Sequence, residues 1–213
     1  MRLVAWLSQP EESQLEHAAS AEKKHDVIVL GASAGGVAAL QRLFQELPTD
    51  LRAAIFIVLH TSSQGPNLMD GVLGRAGGPP AHFPENHEPI EFGRTYVAPS
   101  NHHMLIEDGT VEVATGPKEN RHRPAINPLF RSAAHSFGPR VIGVILTGTL
   151  DDGAAGLWEI KRRGGITVVQ DPDDAEFPDM PTSALANVDI DHVVPLQRLA
   201  TLLISRCNCE VEP

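Results

Sequence analysis

The chain predicts an α/β fold: a doubly wound, mostly parallel sheet with helices on both faces and an antiparallel hairpin insertion. Three observations carry this. Short, wholly apolar runs of strand length alternate with helical stretches, the pattern of strands buried between helices. The glycine-rich segment Gly31-Ala32-Ser33-Ala34-Gly35 leads directly from the first run into a helix-like stretch. Between residues 80 and 123 the alternation gives way to closely spaced short strands.

In chain order, buried strands are expected at 27–30, 54–59, 141–147 and 166–170, with a weaker one at 192–195. Helices are expected at 36–46, 127–136, 154–163 and 197–205. Within the altered region, Thr95-Tyr96-Val97-Ala98 is a short strand ended by Pro99. Met104–Glu107 and Val111–Ala114 then flank Asp108-Gly109, a hairpin signal, because both turn residues tolerate positive φ. This reads as an antiparallel insertion or a sheet edge. Lys161-Arg162-Arg163 forms the cationic last turn of a helix stopped by Gly164-Gly165, where positive charge meets the negative helix end.

Composition removes several function classes. The 213 residues suit one substantial core. A net charge of −10 with no dense basic patch would repel a phosphate backbone, so nucleic acid is not an expected partner. No apolar run approaches a membrane span, and the start of the chain is too short for a signal peptide; a cytoplasmic protein is expected. Residues 1–25 read as a flexible tail, 26–206 as one folded domain and 207–213 as a C-terminal tail. Cys207 and Cys209 have no further cysteine to complete a site, so free thiols are expected. Of the ten histidines, none has H-E-x-x-H or similar ligand spacing, and no metal is expected. His102, His103, His82, His87, His122 and His135 read individually as surface or hydrogen-bonding residues.

Gly31–Gly35 fits G-x-S-x-G on a strand-to-helix turn, which projects a serine hydroxyl above a sheet. Alone, the motif does not separate a nucleophile from a phosphate-binding or structural turn. The dinucleotide fingerprint requires a second glycine where Ser33 stands and an acidic residue about 20 residues on. Here the second apolar run ends in His60-Thr61, and no Gly-Lys-Ser/Thr triplet occurs. The third strand runs into Thr147-Gly148-Thr149-Leu150-Asp151-Asp152-Gly153. Either aspartate alone would read as a helix N-cap. Ligands of open α/β sheets bind beyond the C-terminal strand ends, so Ser33, His60 and this acidic loop should share one rim. A serine, a histidine and an aspartate there would supply nucleophile, base and orienting carboxylate.

These segments resemble the catalytic domain of the chemotaxis methylesterases, the CheB family. The resemblance rests on Ile28–Gly36, Val58-Leu59-His60, Val97-Ala98-Pro99, Arg121-His122-Arg123-Pro124, Leu129–Ala134, Ile145–Gly148, Asp152–Gly156 and Met180-Pro181, all in one order. It implies a nucleophile at Ser33, a base at His60 and a triad acid at Asp152. The implied oxyanion donors are the N–H groups of Ala34 and Thr149, with no metal or organic cofactor. The implied activity is removal of methyl esters from glutamates in the cytoplasmic region of methyl-accepting chemoreceptors, with deamidation of receptor glutamines.

Several positions depart from the family pattern. The chain has no receiver domain before its first strand, which implies constitutive activity or control by a separate regulatory protein. Ala34 replaces the usual threonine, and Asn127 the usual aspartate. Leu150 stands where glycine is typical; with the rest of the triad framework present, an ordinary negative φ and a neutral effect are expected there. Two alternatives remain: a weakly active receptor-binding adaptor of the same fold, and a general α/β serine esterase using Ser33, Asp152 and His192.

Overall fold

The first two apolar runs become strands with no exposed residue: β1 (Val27–Ala32) and β2 (Ala54–Leu59) are buried throughout. Successive side chains of a strand point to opposite faces, so both faces must be covered. The computed structural model describes residues 25–60 and 68–208. Its large sheet adds β3 (Ala81–His82), β5 (Thr95–Val97), β8 (Val141–Ile145), β9 (Ile166–Gln170) and β10 (His192–Val194). The order is β10-β9-β8-β1-β2-β5-β3, and every pairing is parallel.

On one face, Ile28, Leu30, Ile55 and Ile57 pack against Leu40 and Phe44 of α1 (Gly36–Glu46), Leu73 of α2 (Met69–Ala76) and Leu203 of α6 (Leu196–Cys207). On the other, Val27, Val29, Phe56 and Val58 meet Leu129 and Phe130 of α3 (Ile126–Phe137), Leu157 of α4 (Ala154–Arg162) and Met180 of α5 (Asp179–Asn187). The sheet is thus doubly wound, as the alternation predicts. The chain leaves β1 for β2 on one side and later returns to β8 on the other, which makes the C-terminal end of β1 the topological switch point.

The hairpin forms where Asp108-Gly109 predicts it, with φ of 47° and 77° at the turn. Its strands, β6 (His103–Glu107) and β7 (Thr110–Ala114), join β4 (Glu88–Pro89) in a separate sheet of order β4-β7-β6. They do not extend the main sheet, because hydrogen bonds from the hairpin go to a helix. The Ile106 N–H donates to Ser132 Oγ (3.0 Å), and Ser136 Oγ donates to the Ile106 carbonyl (3.0 Å). Helices α2 and α5 were not expected. The first contains two glycines and the second Pro181, so neither has the propensity that marks a helix.

The strand expected to reach residue 147 ends at Ile145, and the Thr147 N–H turns to Gln170 Oε1 (2.9 Å). Gly164, at φ 80°, stops α4 as expected, and the Gly165 N–H closes on the Ile160 carbonyl (3.0 Å). Helix α6 takes in Cys207, whose buried thiol is pushed up to about 12 and is therefore unreactive. Cys209 and residues 1–24 lie outside the described residues, whereas His25 is buried. Among the described residues no helix is long and apolar enough to cross a membrane.

Candidate active site

Ser33 follows β1 and His60 follows β2 directly, while the acidic loop follows β8. Backbone bonds hold these loop starts side by side. The Ser33 N–H donates to the Thr147 carbonyl (3.0 Å), His60 N–H to Ala32 (3.0 Å) and Leu146 N–H to Gly31 (2.9 Å). Gly35 caps α1 at φ 74°, a conformation that strains any side chain with a Cβ. Gly148 is needed for a different reason: a Cβ there would lie 2.8 Å from Ser33 Cβ and collide with Met180 Sδ.

His60 Nε2 lies 2.9 Å from Asp152 Oδ2, with the two side chains only 4% and 2% exposed. The same carboxylate accepts the Ile126 N–H (2.7 Å), the Asn127 N–H (3.3 Å) and Asn120 Nδ2 (3.0 Å). Burial pushes the Asp152 carboxyl up, but the bonds from His60, Ile126 and Asn120, with the histidine's charge, outweigh it and hold the group below its ordinary range. An ionised carboxylate can only accept, so Nε2 carries the hydrogen. Nδ1 is buried and has no hydrogen-bond partner among the described residues. Ser33 and His60 therefore sit on neighbouring strand ends without a closed hydrogen bond. Asp151 is exposed.

Neither aspartate caps the helix that follows it. The N-cap of α4 is Gly153, at φ 103°, with no side-chain bond from its own loop. Instead Asn127 Oδ1, from α3, accepts the N–H groups of Gly153 (3.2 Å) and Gly156 (2.7 Å). Asp152 in turn serves the first N–H groups of α3. The two helix starts cap each other, and the expected cap and the expected partner of His60 are one carboxylate. Local spacing could not reveal this, since the donors are distant in sequence.

The Ala34 and Thr149 N–H groups make no hydrogen bond among the described residues. Leu150 corrects an expectation: its φ is 69° and its side chain is 54% exposed. The left-handed conformation brings the Cβ close to the backbone carbonyl, and an exposed side chain buries little apolar surface to offset this. Leu150→Gly is expected to stabilise the protein by about 1 kcal/mol, raising Tm by about 2–4 °C in a domain of this size. Calorimetry that finds a lower Tm for the variant would show the leucine to be unstrained.

His192 begins β10 at the edge of the sheet, with β9 and β8 between it and β1, and meets Arg206 (3.1 Å), while Asp152 is bonded to His60, so the Ser33–Asp152–His192 arrangement is not assembled. His122, expected as a surface or hydrogen-bonding residue, instead stacks on His60, with ring centroids 3.7 Å apart and planes 4° from parallel. Its place in the Arg121–Pro124 segment was the available signal. Beside the acidic loop lies a polar cleft of about 570 Å³, lined by Asn120, Asn127, Asp151, Trp158 and Asn187 among others. No group of three or more His, Cys, Asp or Glu side chains suited to a metal ion occurs among the described residues.

Burial lowers the pKa of His25, His122 and His192, with nearby positive charge contributing to each. Below their unfolded value of 6.5, the unfolded chain binds these protons more readily than the fold does. Stability is thus fully present above that pH and is lost as pH falls. Asp152, also lowered, adds a loss that begins near its unfolded value of 3.8. Tm is expected to be level between about pH 7 and 8 and to decline from about pH 6.5 downward. A melting temperature unchanged between pH 7.5 and 5 would contradict this.

A profile of the CheB methylesterase family matches residues 28–203. A Leptospira interrogans protein, provisionally given the name protein-glutamate methylesterase/protein-glutamine glutaminase, is 40% identical over 181 residues, covering 84% of this chain and 94% of that protein. Rhodospirillum rubrum protein-glutamate methylesterase/protein-glutamine glutaminase 2 is 34% identical over 194 residues, covering 89% of this chain and 53% of its own length. The crystal structure of the Thermotoga maritima CheB methylesterase catalytic domain superposes with a TM-score of 0.80 at 27% identity, covering 84% of this chain and 97% of that one.

Proposed function

The chain belongs to the CheB methylesterase family, and from that premise we propose that it hydrolyses glutamate methyl esters on the cytoplasmic region of chemoreceptors through Ser33, His60 and Asp152. One observation supports this above the others: a buried imidazole bonded through Nε2 to a carboxylate held below its ordinary range, its Nδ1 without a partner among the described residues, on the strand end next to the half-buried turn serine Ser33. The Asp152 bond selects the tautomer in which Nδ1 can accept a proton.

In this reading the Ser33 hydroxyl attacks the ester carbonyl while its proton passes to His60 Nδ1. The oxyanion is received by the Ala34 and Thr149 N–H groups, which make no hydrogen bond among the described residues. The imidazolium then protonates the departing methoxide, and methanol leaves a glutamyl-Ser33 ester. Water, deprotonated by the same Nδ1, hydrolyses that ester to the free carboxylate and restores the serine. With a receptor glutamine the leaving group is ammonia. No step requires a metal or an organic cofactor. The biological setting is the family's own, adaptation in chemotaxis, and the proposed substrate, the cytoplasmic region of a receptor, calls for a cytoplasmic enzyme.

The left-handed Leu150 beside Thr149 is the observation that favours a second reading, a feeble enzyme acting as a receptor-binding adaptor. Methanol release from a methyl-labelled receptor fragment separates the two. Multiple turnover supports the esterase, and binding without release supports the adaptor.

A further inference from the structure

Among the described residues, the His60 ring has one hydrogen-bond anchor: Nε2 is bonded to Asp152, and the buried Nδ1 has no partner, so no second bond among them stops the ring from pivoting about the Nε2–Asp152 contact. What lies flat against the ring is the imidazole of His122, with centroids 3.7 Å apart and planes within 4° of parallel. His122 is itself rigidly presented. Its N–H and carbonyl pair with Glu119 in both directions (2.8 and 3.1 Å), and Glu119 is held by a two-point ion pair with Arg131 (2.6 and 2.7 Å). The next residue, Arg123, binds Asn101 Oδ1 and the carbonyls of Thr115 and Gly116.

We propose that His122 is a positioning residue for His60: a neutral imidazole whose face fixes the plane of the base, with Nε2 on Asp152 and Nδ1 free for the serine proton, and excludes water from it. The proposal rests on the reading of His60 as the base.

The electrostatics agree with a neutral partner. Among the described residues the charged and titratable groups around the stack are Asp152, Lys118 and the Glu119–Arg131 pair. Burial lowers the His122 pKa, and His60 and Lys118 lower it further against the pull of Asp152. When His60 takes the serine proton, the neutral ring presents its π face to the new cation, an attractive contact. A protonated His122 would oppose that proton transfer. The stack is therefore useful only while His122 is uncharged, which its surroundings promote.

The test compares His122→Ala, His122→Phe and His60→Ala against the wild type. Methanol release from a methyl-labelled receptor cytoplasmic fragment is measured from pH 5 to 9, and melting curves are recorded in parallel. For His122→Ala, kcat is expected to fall about 10–100-fold with KM within about twofold, because the loss is one of geometry at the base. Its acid limb should move to higher pH, because water admitted to the site solvates the imidazolium more strongly than the neutral ring face it replaces. Phenylalanine keeps a flat ring without a titrating nitrogen and should restore kcat to within a few-fold, with the acid limb moving back towards wild type. A His122→Ala enzyme with unchanged kcat and acid limb overturns the proposal. So does a well-folded His122→Phe enzyme as slow as His122→Ala, since a ring face alone would then not suffice. His60→Ala reports separately on the premise: near-wild-type turnover by that variant removes the base assignment, and this proposal with it.

Discussion

Ser33→Ala should abolish methanol release, by about 10⁴- to 10⁶-fold in kcat, with the melting temperature essentially unchanged. The expected size follows from what the substitution removes. Ser33 is half-buried on the turn between β1 and α1, and its backbone N–H, which bonds to the Thr147 carbonyl, is unaffected. The turn depends on Gly35 at φ 74° and on Gly148 passing behind the serine, not on the hydroxyl. Alanine therefore leaves the rim, the His60–Asp152 pair and the unbonded Ala34 and Thr149 N–H groups in place, and removes only the attacking oxygen. Binding of the receptor fragment should persist in the variant. Turnover near the wild-type rate would show that the hydrolysis proceeds without this serine.

The second large effect separates the adjacent acids. Asp152→Asn should lower kcat by about 10⁴-fold, whereas Asp151→Asn should stay within about threefold of wild type. Asp151 is exposed, while the Asp152 carboxylate is 2% exposed and accepts from His60, Ile126, Asn127 and Asn120. His60 and the Ile126 N–H share Oδ2, while Asn120 and the Asn127 N–H share Oδ1, so an asparagine sets its NH₂ against donors whichever way it turns. With the NH₂ on the Oδ2 side it faces His60 as a donor, which favours the wrong tautomer with the hydrogen on Nδ1, and it leaves the Ile126 N–H unpaired. Some stability, about 1–3 kcal/mol, should go with the lost charge-assisted bonds. Equal and small losses from both substitutions would mean that the carboxylate serves only as a cap.

Much of this site is visible along the chain because strands announce their own ends. Val27–Leu30 and Ala54–Leu59 are apolar to the last residue, and the polar residue that ends such a run emerges at the rim of a parallel sheet. The glycine turn and the Asp108-Gly109 hairpin are equally local, since φ at one or two residues decides them. Leu150 shows the limit of such reasoning. The position was legible as unusual, but the sign of φ there depends on how the loop from Thr147 is tied to Phe177 and Met180, which no local pattern encodes.

The sequence by itself thus determined the layering of the fold, the strand ends and the three residue types assembled at one rim, because burial and turn geometry act over a few neighbouring residues. Tertiary structure alone decided which atoms of those residues meet. It gave Asp152 to Nε2 of His60 and to the start of α3, gave Asn127 to the start of α4, and laid His122 on the face of the His60 ring. Each of these contacts joins segments far apart in the chain. Their partners are selected by buried polar groups that must be satisfied once the helices close on the sheet, a demand that exists only after the fold has formed.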